Sequence, residues 1–183
     1  KAFVPVPDGE GGVKTLFERI VANMGRLRLP ESGLLVVCGD VAPEFDFEAC
    51  DFSRPGVTGV AYRDTPDVGS RHGVYVPGAD GRVAGFLQKP SAAEALAAGA
   101  LVGGKVAVDT GILWMDAATA AKLAATDWTT GDLYVEFANA LLAGFAPFSV
   151  NIARKCDFFH IGSTRELLER LGGGREWIDA CAI

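Results

Sequence analysis

The sequence has 183 residues, of which 49% are hydrophobic and 22% charged, and its formal net charge is −6. These values fit one globular domain with a substantial core, and the negative charge argues against a general nucleic-acid-binding surface. No apolar run reaches membrane-spanning length, and the four scattered cysteines fit neither a zinc site nor a disulfide framework. We therefore expect a cytoplasmic protein with reduced thiols that binds no nucleic acid and no membrane. Because the sequence begins at Lys1 and not at a methionine, we also expect its natural start to lie upstream.

In the first half of the chain the sequence predicts one helix followed by four strands. Residues 13–27 carry apolar side chains at helical spacing and end before Pro30. Residues 34–38 form an unbroken apolar run, which predicts a strand buried on both faces in the middle of a sheet. Three more strands are predicted at 56–62, 72–77 and 82–88, the last two as a hairpin around residues 78–81.

Helices and strands alternate in the second half. Predicted helices span 91–100 with Ser91 as the cap, 116–125 with Asp116 as the cap, 132–142 opened by Asp132, and 163–171 before a glycine triplet. Predicted strands span 104–115, 147–153 and 157–162. This alternation predicts an α/β layered fold with a mainly parallel central sheet, to which the 72–88 hairpin adds antiparallel strands.

A single acid, Asp40, follows the predicted buried strand 34–38. In open α/β sheets, ligands bind at the carboxyl ends of the strands. A carboxylate there is suited to holding Mg²⁺ against phosphate oxygens. The Gly-Asp pair alone favours an ordinary turn or a helix cap, because that is the commoner use of aspartate.

Two later segments carry further polar groups at strand positions. In FLQKPS, residues 86–91, Lys89 ends a strand before a stiffening proline, where it could meet a phosphate or simply be a solvated surface lysine. In VDTGIL, residues 108–113, Asp109 and Thr110 supply polar groups, and Gly111 permits close backbone approach. A β-bulge with an incidental hydroxyl explains the second segment equally well.

The two histidines of the chain are ambiguous. His160, at the end of a predicted strand, could ligate a metal or donate a hydrogen bond, but a histidine between Phe159 and Ile161 is commonly a packing residue. His72, at the start of a predicted strand, has the same two interpretations. After His160 the chain turns through Gly162 and begins a helix capped by Ser163 or Thr164, with Glu166 nearby.

The order of these segments is distinctive. The pattern K-x-x-x-P-x-P at 1–7 is followed by CGDV at 38–41, RHGVYV at 71–76, FLQKPS, VDTGIL, and FFHIGSTRELL at 158–168. In this order they resemble the sugar-1-phosphate nucleotidyltransferases (pyrophosphorylases), and most of all the GDP-fucose pyrophosphorylase domain of fucokinase and fucose-1-phosphate guanylyltransferase proteins. The resemblance covers nearly the whole chain. It implies that residues 1–183 form one Rossmann-like nucleotidyltransferase domain, incomplete at its N-terminus.

The resemblance also implies roles for particular residues. Asp40 would bind Mg²⁺, His160 would take the place of the second metal-binding aspartate of the superfamily unless Asp157 does, and Lys89 would hold the sugar phosphate. The remaining substrate-binding residues implied are Lys1, near the triphosphate, and His72, Gln88, Asp109, Thr110 and Gly111. The implied reaction transfers a nucleotidyl group from GTP to a sugar-1-phosphate. The implied sugar phosphate is fucose-1-phosphate, which gives GDP-fucose and pyrophosphate.

The sequence departs from the superfamily pattern in ways that leave another function open. The glycine-rich loop with its arginine, expected just before Lys1, is not among these residues, so we expect weak or no activity from this fragment alone. The chain could therefore be a catalytically degenerate or scaffolding lobe of a multidomain fucokinase-type protein. A kinase domain on the same polypeptide is implied as a possible companion, although residues 9–12, GEGG, lack the strand and spacing of a phosphate-binding loop.

Overall fold

The computed structural model describes residues 3–7, 12–128, 133–163 and 165–166. The described elements, in chain order, are β1 (Pro5–Pro7), β2 (Val13–Thr15), α1 (Leu16–Met24), β3 (Gly33–Val37), β4 (Val41–Glu44), β5 (Val57–Asp64), α2 (Pro66–Gly69), β6 (Gly73–Pro77), β7 (Val83–Gln88), α3 (Ala92–Ala97), β8 (Val106–Asp116), α4 (Ala117–Ala124), α5 (Leu133–Leu142), β9 (Phe148–Ala153) and β10 (Asp157–His160). Short 3₁₀ turns lie at Phe47–Ala49 and Ala79–Gly81. None of the described helices combines the length and apolar character needed to cross a bilayer.

The central sheet has six strands in the order β7-β6-β8-β5-β9, and β3 also pairs with β8. Strand β8 is antiparallel to β3, β5 and β6, and β6 is antiparallel to β7, whereas β5 and β9 are parallel. The prediction of a mainly parallel sheet is therefore wrong, because the sheet is mixed. Helical connections do join strands of the same direction, such as β5 and β6, but β8 inserts between them and runs the opposite way.

Both faces of the sheet are covered, which gives a layered α/β domain. Alternate residues of β8 point to opposite faces. Ile112 and Trp114 join a core cluster that includes the α1 side chains, whereas Leu113 and Met115 join a second cluster with α5. The prediction of an α/β layered fold is confirmed at this level.

Strand β3 is paired and buried differently from the prediction. In the described part of the chain it pairs only with β8. Leu35 and Val37 pack against the core, but Leu34 and Val36 on the other face are 43% and 39% exposed. The expectation of a strand buried on both faces is therefore wrong. An apolar run shows that a strand avoids charge, but not how many of its faces are covered.

Local signals predicted several boundaries correctly. Ser91 caps α3 through a reciprocal capping box with Glu94, and Asp116 caps α4 by accepting from the Thr119 N–H. The hairpin β6–β7 forms as predicted. The helix predicted at 13–27 is shorter, because a capping box centred on Thr15 starts α1 at Leu16 and the preceding residues form β2. Asp132 and most of the helix predicted at 163–171 lie outside the described residues.

A bulge interrupts β8 at Thr110 and Gly111. Opposite them on β5, Val60 pairs with Ile112 and the next residue, Ala61, pairs with Asp109. The Thr110 hydroxyl donates to the Val60 carbonyl at 2.7 Å, and Gly111 has φ = +71°. The Gly111 carbonyl accepts a hydrogen bond of 2.9 Å from the Cys38 N–H. This hydrogen bond at the bulge therefore fixes the chain just after β3 to the middle of β8.

Replacing Gly111 by alanine tests this junction. A Cβ atom at this position would lie 2.8 Å from the Cys38 sulfur, in addition to the strain of a positive φ. Gly103→Ala is a matched control, because Gly103 has φ = +61° but no heavy atom within 4 Å of the added Cβ. We expect Gly103→Ala to cost about 1–2 kcal/mol of unfolding free energy, and Gly111→Ala to cost roughly 1–3 kcal/mol more from overpacking. Denaturant unfolding measures both, and equal losses would contradict the proposed close contact.

Candidate active site

The predicted site residues that lie in the described chain line one open cleft of about 340 Å³. They come from five parts of the fold: the turn after β3, the start of β6, the end of β7, the bulge of β8 and the end of β10. These residues are Asp40, His72, Gln88, Lys89, Asp109, Thr110, Gly111 and His160. Lys1 lies outside the described residues. Residues separated by up to 120 positions in sequence are thus brought together, although their individual roles remain predictions.

Asp40 and His160 face each other across the pair of strands β4 and β10. Val41 is the register partner of His160, and the Ile161 N–H donates to the Asp40 carbonyl at 2.9 Å. This pairing brings His160 Nε2 to 3.7 Å from Asp40 Oδ2. Both side chains are partly exposed to the cleft, at 30% for His160 and 43% for Asp40. The strand β4 that makes this contact was not predicted from the sequence.

The His160 ring is held by contacts on several sides. It stacks on Phe158 with an interplanar angle of 11° and meets the His72 ring edge-on, with 5.0 Å between centroids. Gly162 lies so close to the imidazole that a Cβ atom there would overlap the ring. Ile161, by contrast, points into the core. The imidazole thus lies at the cleft wall and is not a core packing residue.

His72 and Lys89 are joined by their backbones. The Lys89 N–H donates to the His72 carbonyl at 2.9 Å, and Lys89 has φ = +49°, an uncommon conformation for a residue with a side chain. Burial, followed by the nearby His160 and Arg71, lowers the pKa of His72 to about 4. His72 is therefore neutral near pH 7, where its ring can offer one donor and one acceptor nitrogen.

Asp109 and Thr110 are more deeply buried than we expected for side chains that contact a substrate. The Asp109 carboxylate accepts from the Tyr75 hydroxyl at 2.9 Å and is 7% exposed. Thr110 is fully buried, and its hydroxyl donates to the Val60 carbonyl at the bulge. The bulge interpretation of VDTGIL is thus confirmed. Gly111 lines the cleft, and a contact between this segment and a sugar stays a prediction.

Several cleft residues were missed by sequence reasoning. Arg71 lines the cleft beside His72, and its position in RHGVYV was the available signal. Phe158 and Cys38 also line the cleft, without any distinctive sequence signal. Burial, with the Asp109 and Asp40 charges, raises the pKa of the Cys38 thiol to about 11, so Cys38 is not a thiolate nucleophile near pH 7.

A second cavity of about 400 Å³ shares Arg71, His72, Phe158 and His160 with the cleft as lining residues. Glu166 lines this second cavity but not the first. Burial acts to raise the pKa of Glu166, but hydrogen bonds from the Ser163 N–H and hydroxyl, together with His160, outweigh it and lower the pKa. Glu166 is therefore a carboxylate at neutral pH.

The donor set fits a hard divalent cation only in part. Among the described residues, no cluster of three or more histidine, cysteine or acidic side chains could hold a metal ion. Asp157 is not among the residues that line the cleft, and its role as an alternative to His160 stays a prediction. Mg²⁺, however, needs only one or two carboxylates from a protein when substrate phosphates complete its octahedron. Asp40, with an exposed carboxylate beside His160, fits that arrangement.

Comparison with known proteins agrees with this geometry. Residues 1–141 match the family model of the fucose pyrophosphorylase domain. The chain belongs to this family. It is also 30% identical over 131 residues to a bifunctional fucokinase/GDP-fucose pyrophosphorylase from Arabidopsis thaliana, covering 62% of this chain. The chain spans only 12% of that protein's length.

Solved structures show the same fold at low sequence identity. HddC from Yersinia pseudotuberculosis, complexed with GMP-PN, is 15% identical with a TM-score of 0.51, over 82% of this chain and 54% of HddC. A putative glucose-1-phosphate thymidylyltransferase from Bacillus anthracis, in complex with a sucrose, is 12% identical with a TM-score of 0.54, over 90% and 60% of the two chains. The resemblance inferred from the sequence motifs is confirmed by the family match, and this chain shares its fold with these two proteins.

The low pKa of His72 predicts a pH-dependent stability. His72 has an ordinary pKa of 6.5 when unfolded and about 4 when folded, so the unfolded chain binds the proton more readily between these values. The resulting penalty on folding grows as the pH falls from 6.5 and levels off below about 4. Since His72 is partly exposed, we expect this penalty to reach about 1–3 kcal/mol.

His72→Phe keeps an aromatic ring against Phe158 but removes the titration. Denaturant unfolding at several pH values should therefore show a smaller loss of stability for the variant than for the wild type between pH 7 and 4. Parallel pH profiles would show that the His72 ring is not protected from protonation in the fold.

Proposed function

We propose that this domain transfers a guanylyl group from GTP to fucose-1-phosphate, giving GDP-fucose and pyrophosphate. The observation that carries the proposal is the convergence of Asp40, His160 and Lys89 on one cleft of a family member. The choice of fucose and guanine is supported by the name of the Arabidopsis relative. A kinase domain on the same polypeptide and a cytoplasmic location belong to the same proposal.

The reaction needs positioning and charge neutralisation more than covalent chemistry from the protein. A phosphate oxygen of the sugar phosphate forms a bond to the α-phosphorus of GTP, and the bond from that phosphorus to the pyrophosphate oxygen breaks. Both substrates are polyanions, so bringing them together is opposed by charge repulsion. When bound, Mg²⁺ would neutralise phosphate charge, and Asp40 and His160 are the residues that would hold it.

Two cations of the cleft are suited to the phosphates. Lys89 and Arg71 are exposed, and neither has an ion-pair partner among the described residues. Their positive charges offset the negative charges of Asp40 and Asp109, which line the same cleft. Without them the cleft would repel both substrates. We assign Lys89 to the sugar phosphate, with Arg71 as a second phosphate-facing group beside it.

The neutral groups of the cleft are suited to sugar hydroxyls. His72 is neutral near pH 7, and Gln88, adjacent to Lys89, has an exposed side chain. Gly111 and Asp40 line the same cleft. A neutral imidazole and an amide can each donate and accept hydrogen bonds, as a hydroxyl-rich ligand requires.

A non-catalytic lobe is the second candidate function. It is favoured by the small number of acidic metal ligands, since a histidine lies where the superfamily has a second metal-binding aspartate. In that case the domain would keep the cleft but would not catalyse the reaction. Any turnover would come from another part of the protein. Substitution of Asp40 separates the two functions.

Asp40→Asn in the full-length natural protein should lower GDP-fucose formation by orders of magnitude, because the amide cannot supply the charge that a divalent cation needs. The thermal midpoint should stay nearly unchanged, since the Asp40 side chain is 43% exposed. Asp127→Asn is the matched control at another exposed aspartate outside the cleft. Near-normal turnover of Asp40→Asn would remove Asp40 from the mechanism and favour the non-catalytic lobe.

Lys89→Ala tests which substrate the lysine meets. A charge-assisted contact with phosphate contributes about 1.5–3 kcal/mol, so the apparent KM for fucose-1-phosphate should rise roughly ten- to hundredfold. The KM for GTP should change much less. Lys105→Ala, at an exposed lysine away from the cleft, is the control. Equal increases for both substrates would refute the assignment of Lys89 to the sugar phosphate.

A further inference from the structure

The His160 ring has a carboxylate facing each of its nitrogens. Nε2 lies 3.7 Å from Asp40 Oδ2 on the side of the substrate cleft. Nδ1 lies 3.7 Å from Glu166 Oε1 on the side of the second cavity. These distances are too long for direct hydrogen bonds, but catalytic hydrogen bonds are commonly longer in a free enzyme than in its complexes. The imidazole is thus a bridge between two acids with different surroundings.

Glu166 is held in place by hydrogen bonds with Ser163, three residues before it. Its Oε2 atom accepts from the Ser163 N–H at 2.7 Å and from the Ser163 hydroxyl at 2.9 Å. The Glu166 N–H in turn donates to the Ser163 hydroxyl at 3.1 Å. This reciprocal capping box uses one carboxylate oxygen and leaves the other, Oε1, directed at His160.

A neutral imidazole carries one N–H, so it can serve only one of the two carboxylates as a donor. If Nε2 carried the proton, the histidine would have no lone pair on the side of Asp40, and it could not ligate a cation there. A proton on Nδ1 leaves the Nε2 lone pair free. The nitrogen that carries the proton is set by the partner of the other nitrogen.

We propose that Glu166 is a positioning residue that accepts the Nδ1–H of His160 and so keeps the Nε2 lone pair directed at the cation site beside Asp40. This inference rests on the proposed metal-binding role of His160. It gives the capping box a second purpose, because the same carboxylate that binds Ser163 also orients a cleft residue. Gly162, which leaves room for the imidazole directly beneath the ring, completes the arrangement.

The chain contains matched capping boxes that serve as internal controls. Ser91 and Glu94 form the same set of three hydrogen bonds, and so do Thr15 and Glu18. In the described residues, neither Glu94 nor Glu18 approaches a histidine. A capping box alone therefore does not require this neighbour, and the effect of removing its charge can be measured separately at Glu94.

The test replaces Glu166 by glutamine. Glutamine can keep the capping box, with its amide oxygen accepting from Ser163. Its NH₂ group would then face Nδ1 and favour a lone pair there, which moves the proton to Nε2. The variant therefore keeps the fold but reverses the tautomer. Glu94→Gln makes the same chemical change where no histidine is present.

The first measurement is the tautomer of His160 by ¹⁵N NMR of the histidine-labelled chain at about pH 8. The sequence contains only two histidines, and His160→Phe assigns the signals. We expect an N–H at Nδ1 in the wild type and in Glu94→Gln, and an N–H at Nε2 in Glu166→Gln. A wild-type proton on Nε2, or the same tautomer in all three proteins, would overturn the proposal.

The second measurement is the Mg²⁺ concentration needed for half-maximal turnover of the full-length protein. Glu166→Gln should raise it ten- to hundredfold, the usual effect of losing a residue that orients a metal-bound histidine, while Glu94→Gln leaves it unchanged. His160→Phe distinguishes failure of the underlying function. If it keeps full turnover and Mg²⁺ dependence, His160 is not a ligand, whereas the tautomer measurement still decides whether Glu166 orients the ring.

Discussion

The hydrogen bond from the Cys38 N–H to the Gly111 carbonyl is the contact on which the geometry of the cleft depends. It joins the last residue before the Gly39–Asp40 turn to the bulge in the longest strand of the sheet. Two residues of β8 have no register partner on β5 at the bulge, which leaves this carbonyl free for Cys38. Glycine is required there because φ is positive and the Cys38 side chain fills the space of a Cβ atom.

The position of Asp40 follows from that junction. Once Cys38 is fixed, the chain turns through Asp40 into β4, and β4 pairs with β10 in a register that places His160 beside Val41. The Asp40 carbonyl also accepts from the Ile161 N–H. Backbone hydrogen bonds at Cys38 and at Asp40 itself therefore fix the position of Asp40. A carboxylate with 43% of its surface exposed is thereby kept at a defined point of the cleft without being buried, and its charge remains available to a ligand.

The sequence predicted the features of this fold that neighbouring residues decide. Capping by Ser91 and Asp116, the β6–β7 hairpin and the positions of most strands follow from hydrogen bonds and side-chain periods within a few residues. Strand direction and burial were predicted poorly, because both depend on which distant strand becomes a neighbour. The apolar run 34–38 has no mark that distinguishes one covered face from two, and the insertion of β8 between β5 and β6 leaves no local trace. Glu166 was missed as a site residue for the same reason, since only the folded chain shows its carboxylate facing His160. Arg71 was missed although its position in RHGVYV was an available signal.

The pairing of Asp40 with a histidine has consequences for how a cation could be held. Two carboxylates within about 4 Å of each other would repel, and one of them would tend to keep a proton. A neutral imidazole at this position avoids that repulsion, but Mg²⁺ prefers oxygen ligands, so an aspartate–histidine pair is a weaker magnesium site than two aspartates. Substrate phosphates must then supply more of the coordination. Under the proposed function, cation binding would thereby be coupled to the arrival of the nucleotide and the sugar phosphate. Lys89 and Arg71, which line the same cleft, would strengthen that coupling by attracting the phosphates.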